Sequence, residues 1–327
     1  MRTLRFRELG QPKDVLRIEE VPDPEPGPGQ VLVRVRASPV NFPDVLLCRG
    51  EYQIKPPLPC TPGVELCGEV VTTGADVSGV APGDRVIGAA SLPTGAFGEF
   101  AVMEANRTLP APKGLSDAHA SALYIAYQTG WFGLHRRASL RAGETLLVHA
   151  AAGGVGSAAI QLGKAAGATV IGVVGGPEKA DIARELGADV VVDRRSEDFV
   201  AVVKETTGGH GADVVYDPVG GDTYTRSTKC VAFEGRILII GFASGTIPAP
   251  GLNHALIKNY SIVGLHWGLY QDRHPQSILD AHTELVRLAE SGAIRPLISE
   301  TLPLDGLADG VQRVGDGKTV GRVVYTP

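Results

Sequence analysis

The chain has 327 residues, 43% apolar and 20% charged, with a formal net charge of −5; the length predicts two domains, and a charge free of long blocks argues against a nucleic-acid or anionic-membrane surface. No apolar run approaches the roughly 20 residues of a membrane helix, and the charged start MRTLRFRELGQPKDV lacks a signal-peptide core. Cys48, Cys60, Cys67 and Cys230 form no CxxC pair, so a reduced, cytoplasmic protein is expected.

Residues 1–115 carry short β-like runs: QVLVRVRAS (30–38), CGEVVTTG (67–74) and DRVIGAA (84–90). The turn-rich stretches PDPEPGPG, PPLPCTPG and VAPGD separate them. This punctuation predicts an irregular, partly closed antiparallel barrel. From Ser116 the texture changes: Ser116 fits the N-cap of a helix read from the spacing in DAHASALYIAYQTGWFGL. Strands then alternate with helices and are expected at 145–149, 169–174, 189–192, 213–216, 236–240 and 260–264. The helix PEKADIARELGAD has Pro177 in its first turn and Gly187 where a C′ glycine belongs. VVVD and ILIIG are continuous apolar runs, as parallel strands covered on both faces require. The class is therefore α/β, with a doubly wound parallel sheet. The tail, 275–327, holds one amphipathic helix and short strands that return to the first domain.

The segment LLVHAAAGGVGSAAIQLGKAAGATVIGVV passes from strand to helix through Ala152, Gly153, Gly154, Val155 and Gly156. Gly153, Gly154 and Gly156 lack Cβ atoms, so the chain can bend sharply there, leaving bare amides and a positive helix end facing an anion. In this fold the anion is a dinucleotide pyrophosphate. Gly154 and Gly156 supply G-x-G, and Ala159 is the third, small residue. An NAD site places Asp or Glu about 20 residues on. Here TVIGVV ends in Gly175, Gly176 and Pro177; Glu178 comes three residues late and Lys179 follows. A 2′-phosphate meets no repelling carboxylate there, and Lys179 first and Arg194 second would attract it, so NADP(H) is expected. GFASG follows the fifth strand at the carboxyl edge of the sheet, where ligands bind, which assigns Gly241 and Phe242 to the cofactor pocket.

In this domain order, PGPGQVLVRV, VNFPDVLLCRG, PGVELCGEV, VAPGDRVIG, GAFGEFAV, HAAAGGVG and VYDPVGG together resemble the medium-chain dehydrogenase/reductase superfamily over nearly the whole chain. The resemblance implies a GroES-like substrate domain, 1–118 completed by 267–327, and a Rossmann domain, 119–266. Zinc enzymes of that superfamily hold their metal with an early Cys and a His in a G-H-E motif. Asn41 stands at the first position and Val64, beside Glu65, at the second, and valine offers no ligand atom. The four-cysteine lobe for structural zinc is missing too. These departures are similar to the zinc-independent NADPH:quinone oxidoreductase, or zeta-crystallin-like, branch.

Zinc would polarise a simple carbonyl; without it, acceptors that delocalise the incoming charge are favoured. The expected reaction is hydride transfer from NADPH to a quinone or another conjugated carbonyl. An enoyl-thioester reductase and a non-catalytic NADPH-binding protein are the alternatives. Asn41 is expected to donate a hydrogen bond to the acceptor, and Tyr52 to donate one or stack on it. Asp44 is read as fixing a turn and Glu65 as anchoring loops. The resemblance implies that Thr129 touches the nicotinamide carboxamide; Lys318, in GDGKTVGRVVY, would reach the cofactor. YSIVGLHWG, the sixth strand, would pair edge to edge with a second copy, as in related enzymes, giving a homodimer.

Overall fold

In the computed structural model, which describes residues 1–327, the Pro- and Gly-rich first third becomes short strands joined by turns. β1 (Arg2–Arg5) and β2 (Arg17–Glu20) pair antiparallel around a single helical turn, α1 (Pro12–Val15). β3 (Gln30–Pro39) leads into α2 (Phe42–Arg49), then β4 (Glu65–Thr73), β5 (Arg85–Ala89), β6 (Phe100–Glu104) and β7 (Thr108–Pro110). In β3, Val31, Val33 and Val35 are buried while Arg34 and Arg36 face solvent, the period-2 alternation of a one-sided strand. α3 (Asp117–Trp131) starts where expected, with the Ser116 hydroxyl accepting the His119 N–H.

The alternating region follows in order: β8 (Thr145–His149), α4 (Gly154–Ala165), β9 (Thr169–Val174), α5 (Pro177–Glu185), β10 (Val190–Asp193) and α6 (Phe199–Thr206). Then come β11 (Ala212–Asp217), α7 (Gly221–Ser227), β12 (Val231–Ile239), α8 (Leu252–Lys258), β13 (Ser261–Gly264), α9 (Leu269–Arg273) and α10 (Pro275–Glu290). All six strands are parallel, in the order β10-β9-β8-β11-β12-β13. That is the doubly wound dinucleotide order, in which the sequence of strands reverses at the switch point between β8 and β11. Leu146, Leu147 and Val148 are wholly buried, as a strand covered on both faces must be. β12 begins earlier than the expected 236 because Val231 already pairs with Ala212; a register shift and Glu234 at φ +57° then carry the strand past an irregularity. β13 is an edge strand with Ile262 part-exposed, and no helix is long and apolar enough to cross a membrane.

The chain closes with β14 (Ile298–Leu302), α11 (Leu304–Gly315) and β15 (Arg322–Tyr325). β15 runs parallel to β14 and antiparallel to β3, so the seven-stranded sheet of the first unit takes strands from both ends of the chain. The compact units are 1–125 with 296–327, and 126–295. The return point thus falls at Pro296, against the expected 267, and the first crossing inside α3. Residues 275–295 group with the parallel sheet because Gln128 Nε2 donates to Ile278 O and Gln161 bonds Arg295 at both its N–H and its carbonyl.

Candidate functional site

The parallel-sheet unit builds its site from the turn after β8. Ala150 takes a left-handed φ of +49°, a strained state for a residue with a side chain. Ala151 N–H reaches back to Val173 O (3.0 Å), and Gly153 caps α4. By position, the amides of Gly154, Val155 and Gly156 have no intrahelical acceptor, so the helix start presents an anion-binding end. Ala152 is buried beneath it. A Cβ on Gly156 would lie 2.2 Å from Ala150 O. The close approach of the turn to position 156 is therefore what requires glycine there. Gly156→Ala should lower stability by about 1–3 kcal/mol and weaken nucleotide binding; an unchanged melting temperature and nucleotide Kd would refute the close approach.

Gly175, Lys179 and Arg194 come together where β9 ends, and Arg195 joins them. A Cβ on Gly175 would lie 3.3 Å from Arg194 Nε, and one on Gly176 2.9 Å from Arg195 Nη1. Desolvation, and then the fields of Arg195 and Arg194, hold the Lys179 ammonium below its usual pKa. Asp193 pins the corner by accepting the N–H groups of Gly176 (2.8 Å) and Arg195 (3.0 Å). Arg195 was not among the expected residues, although the adjacent pair DRR after the third strand was its signal.

Gly241 and Phe242 lie just past β12, with Phe242 half-buried beside Gly220. Thr129 is half-buried in the last turn of α3. Lys318 sits exposed after α11 in an ion pair with Asp316 (3.1 Å), and nothing around it assigns it to a cofactor.

In the first unit a buried charge network surrounds the start of α2. Glu65 is fully buried; its Oε1 accepts from Arg322 Nη2 and from Asn41 Nδ2 (2.8 Å), and its Oε2 accepts the Ile125 N–H (2.7 Å). Burial raises the Glu65 pKa, and the Arg322 charge opposes that rise. Asn41 Nδ2 also donates to Pro39 O (3.1 Å), while its Oδ1 accepts from Arg322 Nη2 (2.9 Å). A primary amide has two N–H donors, and both are spent inside the network. The expected donation from Asn41 to a substrate is corrected accordingly: Asn41 brackets the ion pair. Asp44, pushed up to about 7 by burial, accepts the N–H groups of Asn41 (2.7 Å) and Gly63 (2.8 Å), which is turn-fixing work. Tyr52 is half-buried, and burial followed by the nearby Asp44 keeps its phenol above the ordinary pKa, protonated at neutral pH. Arg322 was missed; a lone Arg in the apolar run of β15 was the available sign.

No group of three or more His, Cys, Asp or Glu side chains is arranged to hold a metal ion. The four cysteines are buried free thiols. Desolvation pushes Cys60 and Cys67 up to about 12 and Cys230 to about 11.

Family models described as "Alcohol dehydrogenase GroES-like domain" and "Zinc-binding dehydrogenase" match residues 27–113 and 154–283. Quinone oxidoreductase-like protein 2 homolog of Nematostella vectensis is 39% identical over 99% of this chain and 88% of its own length. Quinone oxidoreductase-like protein 2 of Mus musculus is 38% identical over 98% of this chain and 90% of its own. The structure of Escherichia coli quinone oxidoreductase complexed with NADPH matches at a TM-score of 0.93, with 31% identity and all of both chains covered.

Proposed function

The chain belongs to the medium-chain dehydrogenase/reductases, in the quinone oxidoreductase branch, and we propose that it transfers hydride from NADPH to quinones or other conjugated carbonyls without a metal. The observation that carries the reading is the corner of Lys179, Arg194 and Arg195 at the end of β9. That is where the fold seats the adenosine ribose, and three cations there suit a 2′-phosphate. The NADPH bound by the Escherichia coli relative supports the same cofactor.

Bound NADPH supplies the hydride. The amides at the start of α4 hold its pyrophosphate, and the cationic corner selects its phosphorylated ribose. Thr129 and Phe242 bound the nicotinamide. The Tyr52 hydroxyl, a phenol whose pKa burial raises further, donates toward the acceptor oxygen as charge develops there. Asn41, Glu65 and Arg322 hold the start of α2, and the Tyr52 N–H bonds Leu46 O on that helix. A conjugated acceptor suits this equipment, since it spreads its new charge and needs donors more than a Lewis acid.

NADPH oxidation measured with 1,4-benzoquinone, 9,10-phenanthrenequinone, methyl vinyl ketone and crotonyl-CoA, with and without a chelator, tests the proposal. Turnover of the quinones or enone, preference for NADPH over NADH and indifference to chelator are expected. Turnover of crotonyl-CoA alone would replace the substrate class with enoyl thioesters. Tight NADPH binding with no turnover would make the chain a binding protein, and loss of activity on chelation would overturn the metal-free reaction.

A further inference from the structure

β11 ends in Asp217, between β8 and β12. Its side chain is completely buried, and its two oxygens are used unequally. Oδ1 accepts the successive N–H groups of Val219 (2.8 Å) and Gly220 (3.0 Å); Oδ2 is buried with no hydrogen-bond partner. An aspartate that gathers the next backbone amides sets a tight turn, and the chain leaves it through φ +69° at Gly220 and +55° at Gly221. The turn is then zipped to the loop after β12: Ala243 N–H donates to Pro218 O, Ser244 N–H to Val219 O and Gly221 N–H to Thr246 O, each at 3.0 Å. Phe242 closes over Gly220 so tightly that a Cβ there would lie 2.8 Å from Phe242 Cδ1. Both loops stand at the carboxyl edge of the parallel sheet, where ligands of this fold bind.

We propose that Asp217 is a positioning residue for the nucleotide, acting through the loop pair it locks and through the placement of Phe242. The inference rests on the NADP(H) reading above. It differs from the cationic corner in one measurable respect. The corner recognises the 2′-phosphate, whereas the locked loops act on parts that NADPH and NADH share.

Fluorescence titration of wild type, Asp217→Ala and Asp217→Asn with both nucleotides, alongside thermal melts, provides the test. Asp217→Ala should raise both Kd values by about tenfold, the effect of losing two buried hydrogen bonds. Asp217→Asn keeps an acceptor for Val219 and Gly220 and changes only the idle oxygen, so it should stay within about twofold of wild type. A lower melting temperature with unchanged Kd in Asp217→Ala would reduce the residue to a structural clamp and overturn the proposal. If Asp217→Ala does not fold, Phe242→Ala removes the ring that the loop pair places and leaves the backbone bonds of the turn untouched; it should show the same paired loss, and unchanged affinities there would equally overturn the idea. Wild type binding neither nucleotide would defeat the NADP(H) reading itself, an outcome separable from a failure of Asp217 alone.

Discussion

Lys179→Ala, Arg194→Ala and Arg195→Ala should each raise the Kd for NADPH by about tenfold, and pairs of them by about a hundredfold, while NADH stays within about twofold. The cause lies in the free protein. Lys179 is partly desolvated and sits in the fields of two guanidinium groups, which is why its ammonium is easier to deprotonate than usual. A dianionic phosphate relieves that repulsion, and charge-assisted bonds to it are stronger than neutral ones. NADH has a hydroxyl at that place and gains nothing comparable. The discrimination should also shrink as salt rises, because the corner is partly open to solvent. Equal losses for both nucleotides would remove these three residues from the phosphate site.

Arg322→Met should destabilise the first unit by about 3–5 kcal/mol, since it leaves Glu65 buried with its counter-charge gone. Glu65 is fully buried, and Arg322 is its ion-pair partner. Asn41 would lose the donor to its Oδ1 at the same time. The double variant Glu65→Leu/Arg322→Met should recover much of the loss, because an apolar pair needs no mutual neutralisation. Chemical denaturation of the three variants checks this. A cost below about 1 kcal/mol for Arg322→Met would mean that the pair behaves like an exposed one.

Much of the parallel-sheet unit was legible because its determinants are local. The strands at 145–149 and 169–174 match the structure residue for residue, and the Ser116 cap, Pro177 start and Gly187 stop follow from chemistry within a few positions. The glycine turn and Lys179 were readable for the same reason. What escaped depends on approach in space. Glu65 and Arg322 are 257 positions apart, and no periodicity links them. Asn41 stood out by its place in a motif, yet one of its N–H groups ends on Glu65 of β4 and its Oδ1 on Arg322 of β15, and both depend on those strands lying beside β3. Asp217 belonged to a quoted motif, but its unequal oxygens are visible only once the turn is folded. The grouping of α10 with the parallel sheet was equally hidden: the amphipathic pattern of α10 states that one face is buried and is silent about which sheet buries it.

The union of β14 and β15 with β3 sets an order on biosynthesis. Residues 126–295 are contiguous and can close their sheet as soon as they leave the ribosome. The other unit, begun at residue 1, can pair β3 with β4 and β6 early, but the end of β3 at Ser38 and Pro39 waits for Val324 and Tyr325 to emerge. Over that interval the buried Glu65 has no cation to meet, because Arg322 is among the last residues made. A premature stop that removes the last strand would release a polypeptide with one finished half and one that cannot be completed.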